Sequence, residues 1–265
     1  MDILLHTIAL EPARWTPQRV SQPIVDLLPQ IADKTPFKKL EIFEPHLTYA
    51  ADENAVREVF AEHQLEPVIL SSYFDLAKAA PDVFEHESAE LLRRVRTFGF
   101  KKVRLFPGPG IPLDDKARIE SFVERVRNLV SSAPDIEFLL ETHDGSLADE
   151  PEVVVAALNS IACENVGLLF QPTFFEDEKT KRQFVIQRPF IRHLHLQNRA
   201  PNDVATFTRL ADGVIRWREI IGALPLMSAS IEFVPAGICK VDEFDLAQAL
   251  DEAIGEAAFA QSCAH

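Results

Sequence analysis

Positive charge is what this sequence has little of. Its 265 residues include 27 Lys and Arg against 41 Asp and Glu, which gives a formal net charge of -14. Neutralising a nucleic acid or an anionic membrane surface requires clustered basic residues, and we find no such cluster along the chain. We therefore expect neither nucleic acid nor a membrane among its partners.

Long hydrophobic runs and paired cysteines are also missing. No apolar run approaches the roughly 18 residues that a membrane-spanning helix requires. The cysteines Cys163, Cys239 and Cys263 are an odd number without a CxxC pair, which fits a reducing compartment better than a disulfide framework. The apolar N-terminus MDILLHTIAL has no basic region before it, so it predicts a first strand and not a signal peptide. We expect a soluble, cytoplasmic protein.

Glycine is scarce, with nine residues in the whole chain. The turn after the first apolar segment, ALEPARWTPQRV, contains none, although an open dinucleotide-binding sheet would show a glycine-rich turn there. The PGPG sequence at 107–110 fits neither the G-x-G-x-x-G nor the P-loop pattern. These absences argue against a doubly wound open sheet, which is the main alternative fold.

Short apolar segments rich in Val, Ile, Leu and Phe recur eight times and alternate with amphipathic stretches of helical spacing. This alternation predicts an α/β fold with one (β/α)8 barrel, in a single domain over residues 1–265 with a loose tail at about 257–265. Asp52 and Asp242 stand where helix N-caps are expected, and the segment after the seventh strand should start as irregular chain and become helical near Val214. The predicted strands are DILLHTIAL, KKLEIFE, EPVILSSYF, KKVRLFP, IEFLLETH, VGLLFQP, IRHLHLQ and ASIEFVP.

Polar residues at the C-terminal ends of the last four of these strands form a candidate metal site, because that end of a barrel carries the chemistry. Glu141 follows IEFLL, Gln171 follows VGLLF and Glu232 follows ASI, whereas His195 lies inside HLHLQ. One imidazole, two carboxylates and a carboxamide suit Mn²⁺, Mg²⁺, Co²⁺ or Zn²⁺ better than a soft metal. His193 points to the same face as His195, and we expect the deeper His193 to pack below the site.

The sequence resembles the xylose isomerase-like barrels, a superfamily that includes sugar isomerases and epimerases, inosose dehydratase and endonuclease IV. The resemblance spans nearly the whole chain and is carried by LEIFEPHL, LLETHDG, GLLFQPTFF, IRHLHLQN, DGVIRWREIIGAL and SIEFVP. It implies that Glu141, Gln171, His195 and Glu232 hold a divalent metal. Relatives commonly carry Asp at the position of Gln171 and a His at the position of Phe174, so the resemblance also implies weaker metal binding here, since one charge is missing.

The resemblance implies a metal-dependent ketose isomerase or epimerase that acts on a small-molecule sugar or polyol through an enediolate. Glu141 and Glu232 would transfer the proton. His143, Arg199 and Glu41 are candidates for binding substrate hydroxyls, with Trp15 covering a sugar face. An exposed Trp15 would also suit a homo-oligomer contact.

Two alternatives stay open. An inosose-type dehydratase uses the same metal and enolate chemistry with loss of a hydroxyl, and a degenerate sugar-binding barrel would keep the fold without metal or catalysis. The endonuclease relatives need three metals and a basic DNA groove, which the eight His and the acidic charge of this chain do not supply.

Overall fold

The eight predicted strands are all present in the structure, a computed structural model that describes residues 1–16, 19–74, 76–77, 80–225 and 228–264. They form a closed parallel barrel in the order β1, β10, β7, β6, β5, β4, β3, β2, which confirms the fold class predicted from the alternation. The strands are β1 Asp2–His6, β2 Lys39–Phe43, β3 Glu66–Ser71, β4 Lys102–Leu105, β5 Glu137–Glu141, β6 Val166–Phe170, β7 Ile191–Leu196 and β10 Ser228–Ile231.

The helices follow the amphipathic stretches because each buries one apolar stripe, as α5 does with Phe122, Val126 and Leu129. Asp52 caps α3 as predicted, and its carboxylate accepts from the Asn54 backbone N–H at 2.8 Å. The described helices are α1 Ile24–Lys34, α2 Glu44–Thr48, α3 Glu53–Glu62, α4 Pro81–Phe98, α5 Lys116–Ser132, α6 Pro151–Ile161, α7 Asp177–Gln187, α8 Trp217–Gly222 and α9 Leu246–Cys263.

The start and the end of α9 differ from the sequence-based expectation. Asp242 lies in a 3-10 turn and is not the N-cap; Asp245 takes that role, because its carboxylate accepts from the backbone N–H groups of the first turn. The helix runs to Cys263, so most of the segment expected as a loose tail is helical. Ala257, Ala260 and Cys263 are buried at helical spacing, which explains why the helix continues, and residue 265 lies outside the described residues.

A short antiparallel hairpin follows β7, where we expected irregular chain. Its strands are β8 Asn198–Ala200 and β9 Asp203–Thr208. The buried Asn198 side chain donates to the carbonyls of Leu210 and Ile215, at 2.8 and 2.9 Å, and accepts from Ile215 N–H at 2.9 Å. These bonds hold the chain in a non-helical path up to residue 215, so α8 starts at Trp217 and not near 214.

The chain divides into two compact units. Unit 1 comprises Met1–Val68 with His195–His265, and its buried strand residues include Leu5 and Ile231. Unit 2 comprises Ile69–Leu194 and buries residues such as Phe138. Among the described residues, no helix is both long enough and apolar enough to span a bilayer.

Candidate active site

The strand ends of unit 1 bring four polar side chains together. β1 and β2 are paired with His6 opposite Glu41, and β1 and β10 are paired with Leu5 opposite Ile231, the residue before Glu232. His195 is the last but one residue of β7, and Glu232 N–H donates to the β7 carbonyl of Leu196 at 3.1 Å. Parallel pairing therefore places these side chains at the same C-terminal end, where a barrel carries its chemistry.

The His195 ring lies between two carboxylates. Its Nε2 is 2.9 Å from Glu41 Oε1, and its Nδ1 is 3.2 Å from Glu232 Oε1. The His6 ring is tilted against it with 5.2 Å between the centroids, and His6 Nδ1 is 3.9 Å from Glu41 Oε1. His6, Glu41 and His195 are completely buried, and Glu232 is 5% exposed. Two acids and two imidazoles thus share a space from which water is largely excluded.

Hydrogen bonds from outside this group fix the two carboxylates. Ser230 Oγ donates to Glu41 Oε2 at 2.5 Å, and Gln197 Nε2 donates to Glu232 Oε2 at 2.8 Å. The Gln197 backbone carbonyl in turn accepts from Trp217 Nε1 at 2.8 Å. Each acid therefore has one oxygen held by a neutral donor and one oxygen directed at His195.

This arrangement fits a divalent cation. A neutral imidazole carries a single proton, so if Nε2–H of His195 donates to Glu41, the Nδ1 lone pair faces a Glu232 oxygen lone pair at 3.2 Å. A cation or a second proton makes that contact favourable. His6, His195 and Glu232 each offer one ligand atom within 4.8 Å of the others, and their nitrogen and oxygen donors suit borderline metals such as Zn²⁺, Mn²⁺ or Co²⁺. Glu41 would then fix the tautomer of a ligating histidine.

In unit 2, Glu141 is ion-paired at the end of its strand. Arg104 Nε lies 3.2 Å from Glu141 Oε2, and both side chains are 2% exposed. The guanidinium also donates through Nη1 to the Ser72 carbonyl at 3.0 Å, and its centre lies 4.3 Å from the Phe106 ring centroid and 5.0 Å from that of Tyr73. The negative charge of Glu141 is therefore compensated by a buried cation.

Gln171 is held through its backbone. Its N–H donates to Thr142 Oγ1 at 2.6 Å, and its carbonyl accepts from the Thr142 hydroxyl and from Gln183 Nε2, the latter at 3.0 Å. His143 is partly exposed, with Nδ1 2.7 Å from the Asp144 carbonyl oxygen. His193, like His195, is completely buried on β7.

Arg199 and Trp15 border an aromatic group in unit 1. The Arg199 guanidinium centre is 3.3 Å from the centroid of Phe207, its partner across the hairpin, and Phe207 packs edge-on against Phe233 at 5.1 Å. Burial lowers the pKa of Arg199 from its ordinary value, although the charge of Glu232 opposes that shift. Trp15 is 69% exposed and lies 6.2 Å from Phe233 between ring centroids.

The sequence pattern found some members of these groups and missed others. It named Glu41, His195 and Glu232, and the structure places both carboxylates against the His195 imidazole. The binding of substrate hydroxyls by Glu41 stays a prediction. His6 was missed because the predicted first strand DILLHTIAL continues to Leu10, whereas β1 ends at His6 and a 3-10 turn follows it. The pairing of Arg104 with Glu141 had no sequence signal.

The sequence matches the xylose isomerase-like TIM barrel family over residues 30–230, well over half of its length. The chain belongs to that family, which confirms the resemblance seen in its motifs. No curated protein matches the sequence significantly.

Solved structures with the same fold are similar over nearly their full lengths. The IOLI protein with a bound zinc atom has a TM-score of 0.74 at 15% identity, covering 100% of this chain and 99% of its own. The probable 3-DHS dehydratase AsbF from Bacillus anthracis has a TM-score of 0.71 at 20% identity, covering 95% and 98%. A xylose isomerase-like TIM barrel protein from Mycobacterium smegmatis in complex with magnesium has a TM-score of 0.66 at 17% identity, covering 96% and 97%. At these identities the likeness concerns the fold.

Proposed function

We propose that this protein is a divalent-cation-dependent isomerase or epimerase of a small sugar or polyol. The observation that carries the proposal is the imidazole of His195 held between the carboxylates of Glu41 and Glu232, with His6 against it. The family membership and the solved relatives with zinc or magnesium bound support a metal-dependent reaction.

Each residue of the group has a distinct part in the proposed reaction. His6, His195 and Glu232 would hold the cation, and Glu41 would accept a hydrogen bond from the Nε2–H of His195. When bound, the cation stabilises the negative charge that develops on a substrate oxygen as a proton leaves the neighbouring carbon. Glu232, fixed through Oε2 by Gln197, accepts that proton on Oε1. Arg199, whose charge interacts with that of Glu232, binds a substrate oxygen.

Glu141 is proposed, from the family resemblance, as a further ligand and as the second proton-transfer residue. Its ion pair with Arg104 restricts the orientation of the carboxylate, which suits a group that must exchange a proton with one face of a carbon. His143 and Trp15 remain candidates for contacts with substrate.

A dehydratase is the second candidate, favoured by the likeness to the probable 3-DHS dehydratase AsbF. Both reactions begin with removal of a carbon-bound proton beside a carbonyl, and they differ in whether a hydroxyl then leaves. Purified protein should be analysed for bound metal and incubated in D₂O with a panel of ketoses and cyclic polyols. A sugar that gains deuterium on carbon but keeps all of its heavy atoms indicates isomerisation or epimerisation. A product that has lost one water molecule indicates dehydration. If the protein binds no metal and turns over none of these compounds, a non-catalytic barrel is favoured.

Replacing Glu41 with Gln is expected to weaken Mn²⁺ binding by about 10- to 100-fold, the usual effect of removing an acceptor behind a ligating histidine. Isothermal titration of Mn²⁺ into both proteins measures it. Glu58→Gln, an exposed position on α3, removes the same charge and should leave the affinity unchanged. Equal affinity in Glu41→Gln and the parent would contradict the assigned role of Glu41.

Gln171→Asp adds the carboxylate that relatives carry at this position, and we expect it to tighten Mn²⁺ binding, since a third negative charge joins the proposed ligand set. The same titration is the measurement. A degenerate site predicts no binding in either protein. Equal tight binding to both would mean that the missing charge is no handicap.

A further inference from the structure

The segment that follows β1, described at residues 11–16 and 19–21 and carrying Trp15, is held at two backbone positions by one side chain. Glu11 is completely buried, and its Oε1 accepts from the backbone N–H of Ala13 at 2.8 Å. Both of its oxygens accept from the backbone N–H of Ser21, at 3.0 and 2.9 Å. A single carboxylate thus bridges two backbone positions that are eight residues apart.

A chain of hydrogen bonds connects this carboxylate to the barrel strands. His46 on α2 places Nε2 3.1 Å from Glu11 Oε2 and Nδ1 3.0 Å from Thr7 Oγ1. The Thr7 hydroxyl accepts from Phe43 N–H at 3.0 Å, at the end of β2. With a neutral imidazole, Thr7 donates to Nδ1 and Nε2–H donates to Glu11, so every group in the chain is satisfied.

The middle of the segment is fastened by its other buried charge. Arg14 donates through Nε to the Ile8 carbonyl at 3.1 Å and through Nη2 to the Gly237 carbonyl at 2.5 Å. A Cβ at Gly237 would come within 2.2 Å of the Ala9 carbonyl oxygen, so glycine is required for this close approach. The fastened segment presents Trp15 to Phe233, which directly follows Glu232.

We propose that Glu11 is a positioning residue whose carboxylate, supported by His46, holds the backbone at Ala13 and Ser21 in place, so that Trp15 stays against Phe233 beside the candidate active site. The structural part of this inference stands without any assigned reaction. Its effect on substrate binding rests on the proposed function.

The hydrogen bonds that Glu11 accepts from Ala13 and Ser21 should persist over the neutral pH range. Burial raises the pKa of Glu11, but the hydrogen bonds from His46, Ser21 and Ala13 outweigh burial and hold the pKa below the ordinary value of 4.5. A lowered pKa means that the carboxylate stabilises this arrangement above pH 4.5, and that the stabilisation is lost as the pH falls through the folded-state pKa. His46 is the titratable side chain that faces the carboxylate from α2.

Amide-resolved hydrogen exchange tests the proposal on the full-length protein. In Glu11→Gln, the amide NH2 group replaces one of the two oxygens that accept hydrogen bonds from the backbone. Because an N–H group cannot accept, hydrogen exchange at the amides of Ala13 and Ser21 should accelerate by about tenfold or more at pH 7. Glu58→Gln is the charge-matched control and should leave both rates unchanged. Unaltered exchange at both amides in folded Glu11→Gln overturns the proposal.

The wild-type protein supplies a second measurement if Glu11→Gln does not fold. After correction for the intrinsic pH dependence of exchange, the amides of 13 and 21 should lose protection below pH 4.5 while those in the middle of α9 keep theirs. If the amides of residues 13 and 21 and those in the middle of α9 lose protection at the same pH, the proposal is overturned. Once a substrate is known, Glu11→Gln should raise KM more than it lowers kcat. A failure of metal binding or turnover would instead count against the proposed function, because neither exchange measurement depends on it.

Discussion

Glu232→Gln is expected to lower the rate of carbon-bound proton exchange in substrate by about 10²- to 10⁴-fold, the range found when a positioned general base is removed. The amide cannot accept the proton, and it replaces the anionic oxygen that faces His195 Nδ1 at 3.2 Å. We expect the metal affinity to fall as well, because one of the proposed anionic ligands is lost. Exchange is measured by NMR in D₂O with saturating Mn²⁺.

The fold should tolerate this change for a reason visible in the hydrogen bonds. The amide oxygen of residue 232 can accept from Gln197 Nε2, which now lies 2.8 Å from Glu232 Oε2, and the amide N–H can donate to His195 Nδ1. Both neighbours therefore stay satisfied with a neutral imidazole. Glu243→Gln, at an exposed position, is the control for charge. Retained exchange in a folded Glu232→Gln protein would remove Glu232 from the mechanism.

Much of the barrel could be predicted because its strands are buried on both faces and leave continuous apolar segments in the sequence. The β8–β9 hairpin could not, since residues 203–206 of β9 are exposed and carry no apolar alternation. Its path depends on Asn198, whose partners lie 12 to 17 residues further along the chain. The end of α9 was missed for another reason: alanines give a weak apolar signal, yet Ala257 and Ala260 are buried.

For the candidate site, the sequence predicts which polar residues lie near strand ends but not which of them contact each other. Chain position indicates that Glu41, His195 and Glu232 sit at or near strand ends, but contacts between side chains depend on the register between strands that are distant in sequence. His6 and Glu41 are register partners 35 residues apart, and Glu41 approaches His195 across a separation of 154 residues. Glu41 therefore contacts an imidazole, a role that residue type alone did not suggest.

Arg104→Met is expected to destabilise the protein by about 3 to 5 kcal/mol, because it leaves the Glu141 carboxylate buried without its cation. Methionine keeps much of the apolar contact that the guanidinium stem makes, so lost packing contributes less. The free energy of unfolding in urea measures the change. Lys102→Met is the matched control on the same strand: its pair with Glu137 is partly exposed, and its loss should cost about 0 to 1 kcal/mol.

The double variant Arg104→Met/Glu141→Gln separates stability from function at this pair. A neutral amide no longer needs a counter-charge, so the double variant should recover most of the stability that Arg104→Met loses. If Glu141 transfers protons, the recovered protein should still lack carbon-bound proton exchange. Recovery of both stability and exchange would show that the Arg104–Glu141 pair is structural and that Glu141 takes no part in the reaction. A cost below about 1 kcal/mol for Arg104→Met alone would contradict the assignment of Arg104 as the cation that compensates Glu141.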